Sequence, residues 1–233
     1  MIICSDDKIN GISVSTESVG YPKENLLDLD VKNPWRATTN TATIEVDVDN
    51  GANVLGLFLI ENATTADITF RNSTFDALKN FQQTISALNN RIVFLLDVPG
   101  IVRVDIVLSG TENIGASVLR AGDGLTVLNP EYGLSRTYED YSIIHPYKTG
   151  GYYTRKRKRA RKYSGSLFLT TSEEEELQSI FEEHGPSPMM ICLNDKSLQS
   201  DSFFGSLLVS GNPSTSYDFV DYVKLGFTAM EFV

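Results

Sequence analysis

The stretch Thr43-Ile-Glu-Val-Asp-Val-Asp, residues 43–49, decides the fold of the first half of this 233-residue chain. Aliphatic and acidic side chains alternate along it, so one face is apolar and the other carries carboxylates. Successive side chains of a β-strand point to opposite faces of a sheet, and the alternation therefore predicts a strand buried on one side only. Asn50-Gly51 follows, and this pair is typical of a turn.

Further strands are predicted outward from residues 43–49. The continuous apolar run Val-Leu-Gly-Leu-Phe-Leu-Ile at 54–60 predicts a strand that is buried on both faces. Apolar or alternating runs predict additional strands at residues 66–72, 92–98, 102–108 and 113–122. Residues 76–91 stay ambiguous, because apolar residues recur there with helical spacing among many Thr, Asn and Gln residues.

At the N-terminus, Asn10-Gly11 separates two short apolar runs, at residues 1–3 and 12–15. Asn-Gly between apolar runs is a signal for a tight hairpin turn. With this hairpin, about seven or eight short strands separated by turn residues fill roughly the first 125 residues. That pattern predicts an all-β sandwich or jelly roll.

Short motifs in this half occur in a recognisable order. Pro22 is followed at the right spacing by Leu26 and Asp28, then by Trp35-Arg-Ala, and then by the strand at 43–49. This order resembles the galactose-binding-like (discoidin-type) jelly roll, in which a Pro-x-x-x-Leu-x-Asp stretch and a Trp-x-Ser turn precede a strand ending in Asp-Leu-Gly. Here Asp-Val-Asp takes the place of Asp-Leu-Gly.

The end of this half carries a more specific resemblance, over Val102-Arg-Val-Asp-Ile-Val-Leu-Ser-Gly and Ile114-Gly. These motifs are similar to those of jelly-roll domains in tail and neck proteins of bacteriophages. The resemblance covers roughly residues 20–122, and it implies a structural role in a virion rather than catalysis.

Proline, glycine and tyrosine are frequent between the two halves, which predicts a linker at residues 129–151. The linker separates a jelly roll at 1–128 from an α+β module at 152–233. The predicted fold class is therefore mainly β, with an N-terminal β-sandwich or jelly roll followed by a smaller α+β domain with one clear helix.

That helix is predicted at Thr171-Ser-Glu-Glu-Glu-Glu-Leu-Gln-Ser-Ile-Phe-Glu-Glu-His-Gly, with its apolar residues on one face and glycine at its end. Thr171 with Glu174 has the spacing of a capping box, and Ser172 with Glu175 is the alternative register. Strands are predicted at residues 189–193, 203–209 and 223–231. This arrangement resembles C-terminal modules of phage tail proteins, which implies assembly into a homo-oligomeric ring.

Positive charge is concentrated in one segment of an otherwise acidic chain. The net charge is −10, yet seven of the eight residues from 155 to 162 are Lys or Arg. Alternation predicts arginines on one strand face and lysines on the other. The seven residues are Arg155, Lys156, Arg157, Lys158, Arg159, Arg161 and Lys162.

Three interpretations of this segment are open: an assembly interface, a solvated basic strand, and a nucleic-acid contact. Like charges so close together repel one another, and an acidic surface on a neighbouring copy or another protein would remove that cost. We therefore favour the assembly interface, and the acidic net charge argues against nucleic acid.

Neither histidine indicates an enzyme. His184 falls at the predicted helix C-terminus, where a cation suits the helix dipole, and His145 precedes a proline in the linker. No nucleophile elbow, zinc-protease, Walker A or Cys-x-x-Cys motif is present. The sequence predicts no catalysis and no cofactor.

Two weaker sites remain as expectations. Asp47, Asp49 and Asn50 could supply oxygen ligands to calcium, although alternating acids are more simply the wet face of a strand. Trp35 could stack on a sugar, as the galactose-binding-like resemblance suggests, although it fits a packing role better.

No apolar run is long enough to span a membrane, and no signal peptide is visible. The two cysteines are predicted to be buried thiols.

We expect a non-enzymatic structural component of a phage virion, located in the tail tip, baseplate or neck. Its partners would be other virion proteins, and it would assemble in the host cytoplasm. The alternative is a carbohydrate-binding module that attaches the particle to a host glycan.

Overall fold

The computed structural model describes residues 1–49, 51–86, 89–127, 134–146, 152–156, 159–185, 187–194, 197–215 and 222–232. The chain folds into two units. The first consists of Met1–Thr126 with Pro188–Phe204, and the second of Val127–Ser187 with Gly205–Val233.

The elements of the first half are mostly strands, together with a short 3-10 helix at Lys23–Leu27. In chain order they are β1 Ile2–Cys4, β2 Ile9–Val14, β3 Trp35–Arg36, β4 Thr41–Val48, β5 Val54–Phe58, β6 Glu61–Arg71, β7 Ala77–Thr84, β8 Ile92–Leu95, β9 Arg103–Ala116, β10 Val118–Gly122 and β11 Leu125–Thr126. The second half contains β12 Ser135–Asp140, β13 Ile143–Pro146, β14 Tyr152–Arg155, β15 Arg159–Thr170, α1 Thr171–His184, β16 Met189–Cys192, α2 Leu198–Asp201, β17 Ser202–Thr215 and β18 Tyr222–Glu231.

The first unit contains a β-sandwich. One antiparallel sheet has the order β2-β4-β9-β6-β7, with β3 added beside β9, and a second has the order β10-β5-β8. Ile44 and Ile106 of the first sheet and Leu55 and Leu119 of the second are fully buried in one common core. The predicted fold class, mainly β with a jelly roll or sandwich and one clear helix, is confirmed.

The alternation that predicted the central strand is reproduced in the structure. Along β4 every second residue is buried, with Ile44, Val46 and Val48 facing the core. Every residue of β5 is buried, as its continuous apolar run predicted. In both strands the pattern of burial follows from the hydrophobicity of the side chains alone.

Two local predictions differ from the structure. Asn10-Gly11 lies inside β2 and not in a hairpin turn, and the register of β2 against β4 shifts between Ile9 and Gly11. β2 therefore contains a bulge at this position. The ambiguous segment 76–91 contains β7, because Phe81 packs edge-on against Phe70 of β6 and Phe94 of β8.

Residues 188–204 belong to the first unit, whereas the sequence placed them in the module 152–233. β1 pairs antiparallel with both β11 and β16, so that Ile2 lies opposite Thr126 on one side and Cys192 on the other. Because β1 and β16 lie far apart in the chain, no pattern in the local sequence indicates that they pair. The free thiols of Cys4 and Cys192 are both buried, as expected.

The second unit consists of an antiparallel sheet and one long helix. β12 pairs with β15, β15 with β18, and β18 with β17, while β13 and β14 form a separate two-stranded sheet. Thus β12 and β13 lie within residues 129–151, where the sequence predicted a linker. None of the helices in the described ranges is long and apolar enough to cross a membrane.

Helix α1 begins with a capping box one residue before the first predicted register and two before the alternative. The Thr170 side chain accepts a hydrogen bond from the Glu173 backbone N–H, and the Glu173 carboxylate accepts one from the Thr170 N–H at 2.7 Å. Leu177 is buried against the sheet, and Gly185 ends the helix with a φ of 58°. The helix and its glycine stop were predicted correctly.

Candidate functional site

The basic segment 155–162 does not form one continuous strand. β14 ends at Arg155 and β15 begins at Arg159, so the predicted alternation of arginine and lysine faces does not run through it. Arg155 and Lys156 are exposed and form no ion pair with the described residues. Two members of the predicted interface lie outside those residues, Arg157 and Lys158.

Arg161 is buried inside the second unit and binds Glu231 of β18. The two side chains are 9% and 11% exposed, and Arg161 Nε donates to Glu231 Oε2 at 2.7 Å. Burial disfavours the guanidinium charge, but the hydrogen bonds and charge interactions with Glu231 and Tyr163 together outweigh it and keep the pKa of Arg161 above its ordinary value. Arg161 therefore holds this unit together and offers no surface charge.

The neighbouring cations bind carboxylates on β12. Lys162 Nζ lies 2.8 Å from Glu139 Oε1, and Arg159 Nε lies 3.0 Å from Asp140 Oδ2. The hydrogen bond from Lys162 lowers the pKa of Glu139 and raises that of Lys162. The chain thus supplies, from its own strands, acids that the sequence assigned to a neighbouring molecule. The assembly interface remains a prediction.

Two of the three predicted calcium ligands, Asp47 and Asp49, lie in the described residues. Asp47 Oδ1 accepts a hydrogen bond from Arg103 Nε at 2.7 Å, as a cross-strand pair on the wet face of β4. Asp49 follows the end of that strand, and Asn50 lies outside the described residues. Within the described ranges, no group of three or more His, Cys, Asp or Glu residues could hold a metal ion.

Trp35, the predicted sugar-stacking residue, is 0% exposed. Its strand β3 pairs with β9, with Trp35 opposite Ala116, and the indole lies within the sandwich core. A ring with no exposed face cannot stack on a ligand. The packing role weighed for Trp35 is the one the structure supports.

Beside Trp35, however, the chain forms a pocket of about 540 Å³. This volume lies in the range of small-molecule binding sites. The pocket belongs entirely to the first unit, and its lining is mostly polar. The lining residues are Ser18, Tyr21, Arg36, Ala37, Glu61, Asn62, Glu112 and Asn113.

One wall of the pocket is held by β3 and the loop before it. Ser18 N–H donates to Arg36 O at 2.7 Å, and Arg36 N–H donates to Tyr21 O at 3.3 Å. The Ser18 hydroxyl donates to Ala37 O at 3.1 Å. The buried Trp35 anchors this wall, so the neighbouring Arg36 is fixed at the pocket surface.

The opposite wall is formed where β6 bulges away from β9. The register between them shifts twice, between Glu61 and Ala63 and between Ala63 and Thr65. Asn62 adopts a left-handed backbone with φ 62°, and its Nδ2 donates to Asn113 O at 2.8 Å. Bulges and left-handed non-glycine residues are frequent at binding sites, where they aim side chains outward.

An aromatic–cation–anion stack joins the two walls. The Arg36 guanidinium carbon lies 4.8 Å from the centre of the Tyr21 ring, and Arg36 Nη2 lies 3.3 Å from Glu61 Oε2. The Arg36 and Glu61 side chains are 44% and 45% exposed, so both keep hydrogen-bonding capacity for a ligand.

The described lining contains neither histidine nor cysteine. Its one aliphatic hydroxyl, that of Ser18, donates to the backbone carbonyl of Ala37. The arrangement suits recognition through hydrogen bonds and a partly exposed ring. His184 lies in the last turn of α1, as predicted, and His145 lies in β13 opposite Tyr153, both in the second unit.

Sequence reasoning missed this pocket, because its residues come from four separate stretches of the first unit. The dipeptide Glu-Asn occurs twice in the lining, at Glu61-Asn62 in β6 and Glu112-Asn113 in β9. It also occurs at Glu24-Asn25, outside the pocket, so it is not a specific signal.

Comparisons with known proteins return no matching family model and no matching curated protein. Solved structures match about half of this chain. A chain from the crystal structure of reduced XRCC1 bound to the DNA polymerase β catalytic domain is 17% identical and matches over 49% of this chain and 96% of its own, with a TM-score of 0.38.

Carbohydrate-binding modules are also among the similar structures. The lectin domain of lectinolysin complexed with Lewis B antigen is 10% identical, over 48% of this chain and 90% of its own, with a TM-score of 0.40. The Streptococcus pneumoniae fucose-binding module SpX-3 is 13% identical, over 50% of this chain and 96% of its own, also with a TM-score of 0.40. At these low values the similarities assign no ligand to this chain.

Proposed function

We propose that the first unit is a non-catalytic carbohydrate-binding module and that the pocket between Tyr21 and Asn62 receives the sugar. The observation that carries this proposal is the bulged, left-handed wall at Asn62 facing the Arg36–Tyr21 stack. Asparagine tolerates this conformation better than most residues, and non-glycine residues in it cluster at binding sites.

The chemistry of the lining matches a sugar ring. Sugars present several hydroxyls, each a donor and an acceptor, around a ring with an apolar C–H face. The Asn62 and Asn113 amides supply donors and acceptors, Arg36 supplies donors and Glu61 accepts. Tyr21, 38% exposed, supplies an apolar surface with a polar tip.

The test is binding of the whole chain to a glycan array, followed by titration of the retained sugar. We expect retention by wild type and a loss of about tenfold in affinity for Arg36→Gln, the size of one good hydrogen-bonded contact. Asn62→Gly should weaken binding similarly, because glycine tolerates the left-handed backbone while the amide is lost.

The matched control is Lys79→Gln, which removes a cation from another exposed ion pair of the same unit, with Asp97 at 3.0 Å. It should bind as wild type does. Retention of no glycan, or equal losses in Lys79→Gln and Arg36→Gln, would contradict the proposal. Release of reducing sugar from a bound glycan would contradict the non-catalytic role.

A second candidate function is structural assembly within a phage virion, at the tail tip, baseplate or neck. It rests on a different observation: in the second unit Arg155 and Lys156 stay exposed and form no ion pair with the described residues. The edge strand β12 and the tyrosines of β14, Tyr152 and Tyr153, are exposed as well. An exposed edge strand can join another protein by strand pairing, and exposed cations can do so by charge. Oligomeric state as a function of salt tests this candidate.

A further inference from the structure

The charges around the pocket are not balanced. Its lining contains one guanidinium, Arg36, and two carboxylates, Glu61 and Glu112. Arg36 and Glu61 lie 3.3 Å apart and neutralise each other. Glu112 is exposed and forms no ion pair with any described residue. The lining therefore carries one uncompensated negative charge.

The net charge of the chain has the same sign as this charge. The whole chain has a net charge of −10, so its long-range field also favours cations over anions. The Arg36 guanidinium already covers the Tyr21 ring, so Glu112 is the group of the lining that remains available to a cation.

We propose that the pocket selects sugars bearing a protonated primary amine over their N-acetylated and acidic counterparts, with Glu112 as the specificity-determining residue. This rests on the proposed carbohydrate binding. A protonated amine places a positive charge near an unpaired carboxylate. N-acetylation removes that charge, and a sugar carboxylate would be repelled by Glu112.

The experiment is isothermal titration of the whole chain with three probes. They are an oligosaccharide of β-linked glucosamine residues, its fully N-acetylated form of equal length, and a sialylated oligosaccharide. At about pH 5.5, where carboxylates are ionised and the amine is protonated, we expect the glucosamine form to bind about fivefold tighter than the acetylated form. We expect the sialylated sugar to bind most weakly. At about pH 9 the preference should vanish as the amine loses its proton.

Glu112→Gln should remove the preference at about pH 5.5, because the amide has the same shape without the charge. The matched control Glu175→Gln removes one exposed carboxylate from α1 in the second unit and should keep the preference. Equal affinities of the two sugars for wild type, or the same preference in Glu112→Gln, overturn the inference.

The two proposals fail in different ways. If the acetylated sugar binds at the pocket, as judged by the loss in Arg36→Gln, but the amine adds nothing, only the specificity inference is wrong. If no saccharide on the array or in the titrations binds, carbohydrate binding itself is wrong.

Discussion

Because the Cys4 thiol is buried, the stability of the first unit changes with pH in the alkaline range. Cys4 is 2% exposed, and burial together with the nearby Asp6, Asp7 and Asp123 raises its pKa from 9.0 to about 12. Between these two values the folded chain keeps a proton that the unfolded chain releases. The free energy of unfolding must therefore fall as pH rises above 9.0.

We predict that the Cys4→Ala variant loses less stability with rising pH than wild type, by about 1 kcal/mol per pH unit near pH 10. The measurement is urea denaturation at several pH values, comparing slopes against pH and not absolute stabilities. Comparing slopes separates the effect of thiol titration from the pH-independent loss of stability caused by the methyl-sized cavity that the substitution leaves. Parallel slopes for the two proteins would show that this thiol does not titrate as described.

For single residues too, the sequence shows which side chains are charged, but not which of those charges are exposed and able to bind a partner. Arg155 and Arg161 belong to one basic run, yet the first is exposed and the second is buried against Glu231. The difference depends on β18, some seventy residues further along the chain. No local pattern encodes that pairing, which is why the seven basic residues appeared equivalent.

The bulged pair of strands β6 and β9 is the element that shapes the pocket, and Gly110 makes it possible. A Cβ atom at Gly110 would lie 1.8 Å from the backbone oxygen of Asn62. That oxygen cannot rotate away as a side chain could. The two strands can approach this closely only while the residue is glycine.

We predict that Gly110→Ala destabilises the first unit by about 3 kcal/mol and also weakens glycan binding, because the wall carrying Asn62 must move. The control is Gly11→Ala in β2, where a Cβ would meet only the Asp47 side chain, at 3.3 Å. Its cost should be about 1 kcal/mol or less. Denaturation followed by circular dichroism measures both, and similar losses would mean that close approach is not what selects glycine at 110.

Elements with strong periodicity were predictable, and those defined by partners were not. β4 and β5 follow from side-chain hydrophobicity, and α1 follows from its acidic first turn and Gly185. β7 could not be predicted in this way, since most of its residues are exposed and no apolar face distinguishes it. The register shifts of β6 are set by pairing with β9 about fifty residues later, so the pocket could not be predicted from local sequence.

For the whole molecule, the contrast between an acidic chain and its basic segment bears on whether copies of the chain assemble into oligomers. An acidic chain with exposed cations attracts complementary surfaces at low salt, and screening weakens that attraction as salt rises. Replacing every arginine of the basic segment would not test this, because loss of Arg161 leaves Glu231 buried without its partner. The informative change is confined to the exposed pair Arg155 and Lys156.

We predict that wild type forms a defined oligomer at low salt, that high salt dissociates it, and that Arg155→Ser/Lys156→Ser weakens it, as measured by light scattering on gel filtration. Lys32→Ser/Lys79→Ser is the matched control, since it removes two exposed cations from the first unit and should leave the oligomer intact. Monomers at every salt concentration would exclude self-assembly through these residues. In that case the two cations would have to bind a different protein, and a virion role would depend on a heterologous contact, which capture by a purified acidic partner would detect.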